Sequence, residues 1–184
     1  MEIILLCIYY LIINIFYIPK IYAKEFIIKN NDENFYNLNN FLNNNQNSNE
    51  LVLYFVDNSY DMSLLKETSI EVLIQTNVSF IGNKNGTIFD YKNGRKGNLY
   101  FILNNNKGEV VKIENIIFKN YYIEYYSFVF SIAVSAYSDF YHIIFENCIF
   151  ESNYGEILTF MTYCVEQKQM EPQIQFNRCK FMYV

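Results

Sequence analysis

One eight-residue phrase occurs three times at nearly constant spacing, and this repeat constrains the fold more than anything else in the chain. The copies are Val111-Lys112-Ile113-Glu114-Asn115-Ile116-Ile117-Phe118, Ile143-Ile144-Phe145-Glu146-Asn147-Cys148-Ile149-Phe150 and Ile174-Gln175-Phe176-Asn177-Arg178-Cys179-Lys180-Phe181. The offset from Val111 to Ile143 is 32 residues and from Ile143 to Ile174 it is 31. A looser copy, Asn77-Val78-Ser79-Phe80, lies 38 residues upstream when its Asn is set against Asn115. A fixed period of this size marks a stack of similar units, each burying its apolar face against the next.

The phrase itself has a mechanical meaning. Val111 and Ile113 share one face of a strand, as do Ile116 and Phe118, because side chains alternate with period two. The step from Ile113 to Ile116 is three, so an unbroken strand would throw the second pair to the opposite side. A one-residue corner at Asn115 turns both pairs inward, and Asn enters the left-handed region more readily than most residues. Asn147 takes the same place in the second copy, while Arg178 departs from it in the third. Strand, corner and strand then wind into a solenoid with equivalent residues stacked about 4.8 Å apart. Phe118, Phe150 and Phe181 are expected to stack inside, beside Ile116, Cys148 and Cys179. Outside, Lys119 should lie over Glu151, and Glu114 over Glu146 as a like-charge pair.

The rest of the chain suits an all-β plan. Leu51, Leu53 and Phe55 alternate, then Val72 and Ile74, then Val78 and Phe80, with further strands at Thr87 to Tyr91 and Leu99 to Leu103. Gly82, Gly86, Gly94, Gly97 and Gly108 punctuate this stretch. One short amphipathic helix is expected over Phe35, Leu38, Phe41 and Leu42, capped by Asn31 or Asp32 and followed by the polar tract from Asn43 to Asn49. With 18 Tyr, 17 Phe and no Trp, the composition favours strands, although a low-GC genome inflates some of the same residue types.

The repeat segments, with Ser79-Phe80-Ile81-Gly82-Asn83 and Gly86-Thr87-Ile88-Phe89-Asp90 upstream, resemble the pectin-lyase-like right-handed parallel β-helix superfamily, closest to its secreted, uncharacterised members. The resemblance covers residues 50–184 and speaks to architecture rather than chemistry. It implies a right-handed solenoid, with the Phe35 to Leu42 helix capping the first coil. Leucine-rich repeats are the competing solenoid, but their shorter period and fixed Leu positions are missing. The division expected is 1–23 signal peptide, 24–49 strand, capping helix and Asn-rich loop, and 50–184 β-helix coils. The last coil reads as uncapped, as though the gene product were truncated or the open coil docked onto something.

Export rests on the N-terminus. An uncharged apolar run from Ile3 to Ile18 precedes Pro19-Lys20 and Ile21-Tyr22-Ala23, so cleavage is expected after Ala23. An uncleaved anchor is the alternative, with a run short of the ~20 residues of a spanning helix. In a secreted chain two N-glycosylation sequons gain meaning, Asn77-Val78-Ser79 and Asn85-Gly86-Thr87. The net charge of −5 and the lack of a basic cluster beyond Arg95-Lys96 argue against nucleic acid as a partner.

Candidate chemistry is sparse. Asp57, Asp61, Asp90 and Asp139 read as solvated acids, and only Glu114 and Glu146 are brought together by the repeat. His142 is the sole histidine and most simply begins a strand. Once Cys7 leaves with the signal, Cys148, Cys164 and Cys179 remain, with no CxxC motif, and packing is the expected role. No catalytic, cofactor-binding or metal-binding residue is assigned, and no cofactor. The remaining hint is aromatic: Tyr121, Tyr122, Tyr125 and Tyr126 crowd one connection, with Tyr137 and Tyr141 beyond, as contacts for glycan or protein. The chain therefore reads as a secreted, extracellular β-helix module with a non-catalytic binding or structural role towards polysaccharide or another secreted protein. The alternative is a truncated or decayed carbohydrate-active enzyme.

Overall fold

The computed structural model describes residues 22–103, 107–123, 128–134, 140–162 and 172–182. Residues 1–21 of the expected signal segment, Tyr125, Tyr126, Tyr137, Asp139 and Cys164 lie outside the described residues.

From β2 (Glu50–Phe55) onward the chain winds through three parallel sheets in strict rotation. Sheet A stacks β1 (Ala23–Ile28), β2 (Glu50–Phe55), β5 (Asn77–Ile81), β8 (Val110–Glu114), β11 (His142–Glu146) and β14 (Ile174–Asn177). Sheet B stacks β3 (Ser59–Asp61), β6 (Thr87–Gly94), β9 (Ile116–Tyr121), β12 (Ile149–Glu151) and β15 (Lys180–Met182). Sheet C stacks β4 (Ser69–Ile74), β7 (Asn98–Leu103), β10 (Phe128–Val134) and β13 (Glu156–Thr162). All of these pairings are parallel, so the fold is a β-solenoid of about five turns.

The corner inferred at the repeat is present in all three copies. Asn115, Asn147 and Arg178 take φ of 57°, 52° and 56°, and Ile113 and Ile116 on either side of the first are both fully buried. Arg178 thus does the same backbone work as the two asparagines, despite a side chain less suited to it. The corners also bond to one another along the stack: Asn115 N–H donates to the Glu146 carbonyl, Asn147 N–H to the Asn177 carbonyl, and Asn147 Nδ2 to Asn115 Oδ1 at 3.2 Å.

The predicted ladder is in register and extends upstream, with Phe118 and Phe150 fully buried and Phe181, in the last coil, 50% exposed. Phe118, Phe150 and Phe181 are in register, with near-parallel rings 5.2 Å and 4.7 Å apart, and Phe89 and Tyr60 continue the column. Each buried ring removes enough apolar surface to contribute ~2 kcal/mol, and stacking adds ~1 kcal/mol. Cys148 is fully buried below Cys179, and both are free thiols that donate weakly to carbonyls, Cys148 to Ile113 and Cys179 to Phe145. Burial pushes the Cys148 thiol up to about 12 and that of Cys179 upward, consistent with packing rather than reactivity.

Two details correct the sequence reading. The looser copy belongs to the strand before the corner: Val78 pairs with Val111 and Phe80 with Ile113, an offset of 33 rather than 38. Matching Asn77 to Asn115 misplaced it by one strand, because the local pattern of Asn and hydrophobes is similar on both sides of a corner. The expected single helix is two, α1 (Glu33–Tyr36) and α2 (Leu38–Asn44). Asp32 caps the first through Asn34 N–H, as anticipated. Asn37 breaks the run at φ −105°, ψ 34°, its side-chain amide donating to the Glu33 carbonyl. Phe35, Leu38 and Leu42 still join the apolar core, and Phe41 packs edge-on against Phe26 at 4.8 Å. These helices occupy the stretch between β1 and β2 where later turns place strands of sheets B and C.

Candidate functional site

The outer face of sheet B and its border with sheet A hold the densest grouping of candidate residues. Inward residues of β6, β9 and β12 fill the core, so the alternate residues face out. In register along the stack these are Ile88, Ile117 and Ile149, then Asp90, Lys119 and Glu151. Lys119 reaches Glu151 at 3.2 Å, the opposite-charge rung expected from the repeat. Asp90 is held by Lys92 at 2.8 Å and by Asn120 Nδ2 at 2.9 Å. Burial alone would raise the Asp90 carboxyl, but these hydrogen bonds outweigh it and leave its pKa lowered.

At the border with sheet A the single-residue corners give way, one turn earlier, to a longer loop. The segment Gly82–Gly86 leaves sheet A and returns at Thr87, with a turn closed by Gly86 N–H on the Asn83 carbonyl at 2.8 Å. Asn83 pins its base: its backbone N–H donates to Thr87 Oγ1 at 2.9 Å and its side chain to the Val56 carbonyl at 3.0 Å. Lys84 and Asn85 are left exposed at the tip. Beside them runs a groove of about 440 Å³ bounded by Glu114, Asn115 and Asn147, with Ile117 and Ile149 supplying apolar surface. Its volume lies within the range of small-ligand sites.

Glu114 and Glu146 occupy consecutive rungs, as the repeat required, but the structure gives each its own cation. Lys112 sits 2.7 Å from Glu114, and the Arg178 guanidinium bonds Glu146. Arg178, the departure from the Asn pattern, thus relieves the like-charge pair. Partly exposed pairs of this kind contribute at most ~1 kcal/mol, yet they engage both carboxylates. The other acids have local structural partners: Asp57 accepts Asn30 N–H at 2.7 Å, and Asp61 accepts Ser63 N–H at 3.0 Å at the start of a 3₁₀ turn. His142 begins β11. Among the described residues no cluster of three His, Cys, Asp or Glu is placed to hold a metal ion. Among them, too, no helix is long and apolar enough to cross a membrane.

The tyrosines divide sharply. Tyr121 is fully buried at the end of β9, edge-on to Tyr91 at 5.2 Å, so it is a core residue and not a surface contact. Tyr141 is buried as well. Tyr122 is 41% exposed and stacks on Tyr154, 60% exposed, with ring centres 5.1 Å apart and planes 19° from parallel. A parallel bridge joins their backbones. Asn153 anchors the connection from inside, accepting Tyr121 N–H and donating to the Phe118 carbonyl, both at 2.9 Å. Tyr154 escaped the sequence reading, although the signal was there: it follows Tyr122 by 32 residues, the offset of the repeat.

Both sequon asparagines are exposed. Asn77 begins β5 and accepts Val110 N–H at 2.9 Å, whereas Asn85 stands on the loop tip at the groove. The surface therefore offers a neutralised charge ladder on sheet B, an amide-rich groove at its border with sheet A, and stacked aromatic rings beyond the left-handed residues Asn120 and Ser152 at its other end. Such a surface can bind by stacking and hydrogen bonding. No family model matches the chain, and no curated protein and no solved structure matches it.

Proposed function

We propose that this is an exported, non-catalytic binding module of the pectin-lyase-like kind, which holds polysaccharide across the outer face of sheet B. The observation that carries the reading is the exposed Tyr122–Tyr154 stack, set one repeat apart beside the Lys119–Glu151 rung. Sugar rings present apolar C–H faces between hydroxyls, and they match tyrosine rings flanked by polar groups. Export is supported by the uncharged apolar run from Ile3 to Ile18 with a cleavage point at Ala23, and an exported chain would present such a surface where polysaccharide is met. A right-handed winding is favoured because about 98% of parallel crossovers take that hand.

The test is retention of the purified full chain on a panel of insoluble cell-wall and extracellular polysaccharides. Binding to at least one is expected, weakened about tenfold, ~1.4 kcal/mol, by Tyr122→Ala combined with Tyr154→Ala. Retention on none of them, or retention indifferent to the double substitution, rejects the reading. Capture of a secreted protein at this face would replace polysaccharide as the partner. Depolymerising activity on pectin that disappears when Glu114 and Glu146 are neutralised would restore the enzyme alternative.

A further inference from the structure

The two sequons have different surroundings, and the difference bears on the groove. Asn77 lies in a strand, with its side-chain oxygen committed to the next rung through Val110 N–H. Asn85 stands at the tip of the Gly82–Gly86 loop, exposed, on the rim of the groove that Glu114, Asn115 and Asn147 help to form. The third sequon residue, Thr87, is fully buried. Its hydroxyl is held between the Asn83 N–H at 2.9 Å and the Phe55 carbonyl at 3.2 Å. A glycosylating enzyme must read that hydroxyl, so the sequon is open only before this coil closes.

We propose that Asn85 carries an N-linked glycan, added during synthesis, which lies over the groove and shuts it to outside ligands while leaving the Tyr122–Tyr154 side of the face open. The inference rests on the export reading above. In the transfer, Asn85 Nδ2 forms a bond to the anomeric carbon of a lipid-diphosphate-linked oligosaccharide. The bond from that carbon to the phosphate oxygen breaks, the lipid diphosphate departs, and the amide loses one proton. The first sugars then meet the amides of Asn115 and Asn147 and the apolar surface of Ile117 and Ile149, all lining the same groove. Lys84, exposed beside Asn85, becomes screened.

The experiment expresses the full chain in secreting eukaryotic cells, once with its own N-terminus and once behind an established secretion leader. Expected is a loss of mass on treatment with peptide N-glycosidase, with the Asn85 part of that loss abolished by Asn85→Gln. Acetylation of Lys84 by a water-soluble succinimidyl ester should be several-fold slower on the glycosylated protein than after enzymatic removal of the glycan. Removal acts on the folded chain, so this comparison needs no variant that might misfold. An unmodified Asn85 in leader-driven, secreted protein overturns the proposal. So does a glycan at Asn85 that leaves Lys84 acetylation unchanged. A chain that stays in the cell with its own N-terminus, yet is glycosylated at Asn85 behind the leader, defeats the export reading and leaves the acceptor assignment standing.

Discussion

From the second passage onward, the step from sheet A to sheet B is made in two ways in this molecule. At Asn115, Asn147 and Arg178 one residue in the left-handed region reverses the alternation. One turn earlier, the loop Gly82–Gly86 does the same task, delivering Thr87 into register with Ile116. The two solutions meet directly. Gly82 N–H donates to the Glu114 carbonyl and Thr87 N–H to the Asn115 carbonyl, both at 2.9 Å, so both ends of the long loop are tied to the short corner beneath. A corner can therefore lengthen freely in its middle while its ends stay fixed by the next turn of the stack. The short form is pure scaffold. The long form lifts Lys84 and Asn85 clear of the surface and so creates the groove.

The most damaging way to break this arrangement is at the base of the loop. A Cβ on Gly82 would lie 2.3 Å from the Asn115 carbonyl oxygen, a backbone atom fixed by its own hydrogen bond. Gly82→Ala should lower stability by ~3 kcal/mol, read from the midpoint of chemical denaturation. A loss below ~0.5 kcal/mol would mean that the two corner types are not rigidly coupled. Next in size is the short corner. Asn147→Ala gives up both tolerance of φ 52° and the side-chain bond to Asn115, a loss of ~1–2 kcal/mol in the same measurement. Asn147→Gly keeps the backbone freedom and should lose less than the Ala variant. Equal losses would assign the whole effect to the amide bond. The smallest change is expected at Arg178→Asn, within ~0.5 kcal/mol of the parent. It restores the residue favoured at φ 56° but removes a pairing with Glu146 whose Arg end is mostly exposed. A larger loss would show that relief of Glu146 outweighs corner preference.

Much of the architecture was legible because the relevant forces act locally. The odd step from Ile113 to Ile116 has one economical explanation, and the structure bears it out at Asn115, Asn147 and Arg178 alike. The Phe118, Phe150 and Phe181 stack and the Lys119–Glu151 rung follow once the period is known. The looser copy went astray at Asn77, because its hydrophobic spacing fits the strand after the corner at Asn115 as well as the strand before it, where it belongs. The helix was read as continuous because hydrophobic spacing does not register the competition of the Asn37 side chain for backbone partners. Among the tyrosines, adjacency misled: Tyr121 and Tyr122 are neighbours in sequence, yet one is core and the other surface, because Asn120 at φ 59° resets the alternation and turns Tyr121 inward.

What the sequence determined by itself was the period, the inward-facing set and the place of the bend, since all three are written in alternation within a few residues. Only the tertiary structure decided that Tyr154 would stack on Tyr122, that Glu146 would meet Arg178, and that the Asn85 tip would stand beside Asn115 and Asn147. These neighbours are one or two turns of the solenoid apart along the chain. They are brought together by register accumulated over the stack and by the path of one lengthened loop, and no rule acting within a single strand can supply either.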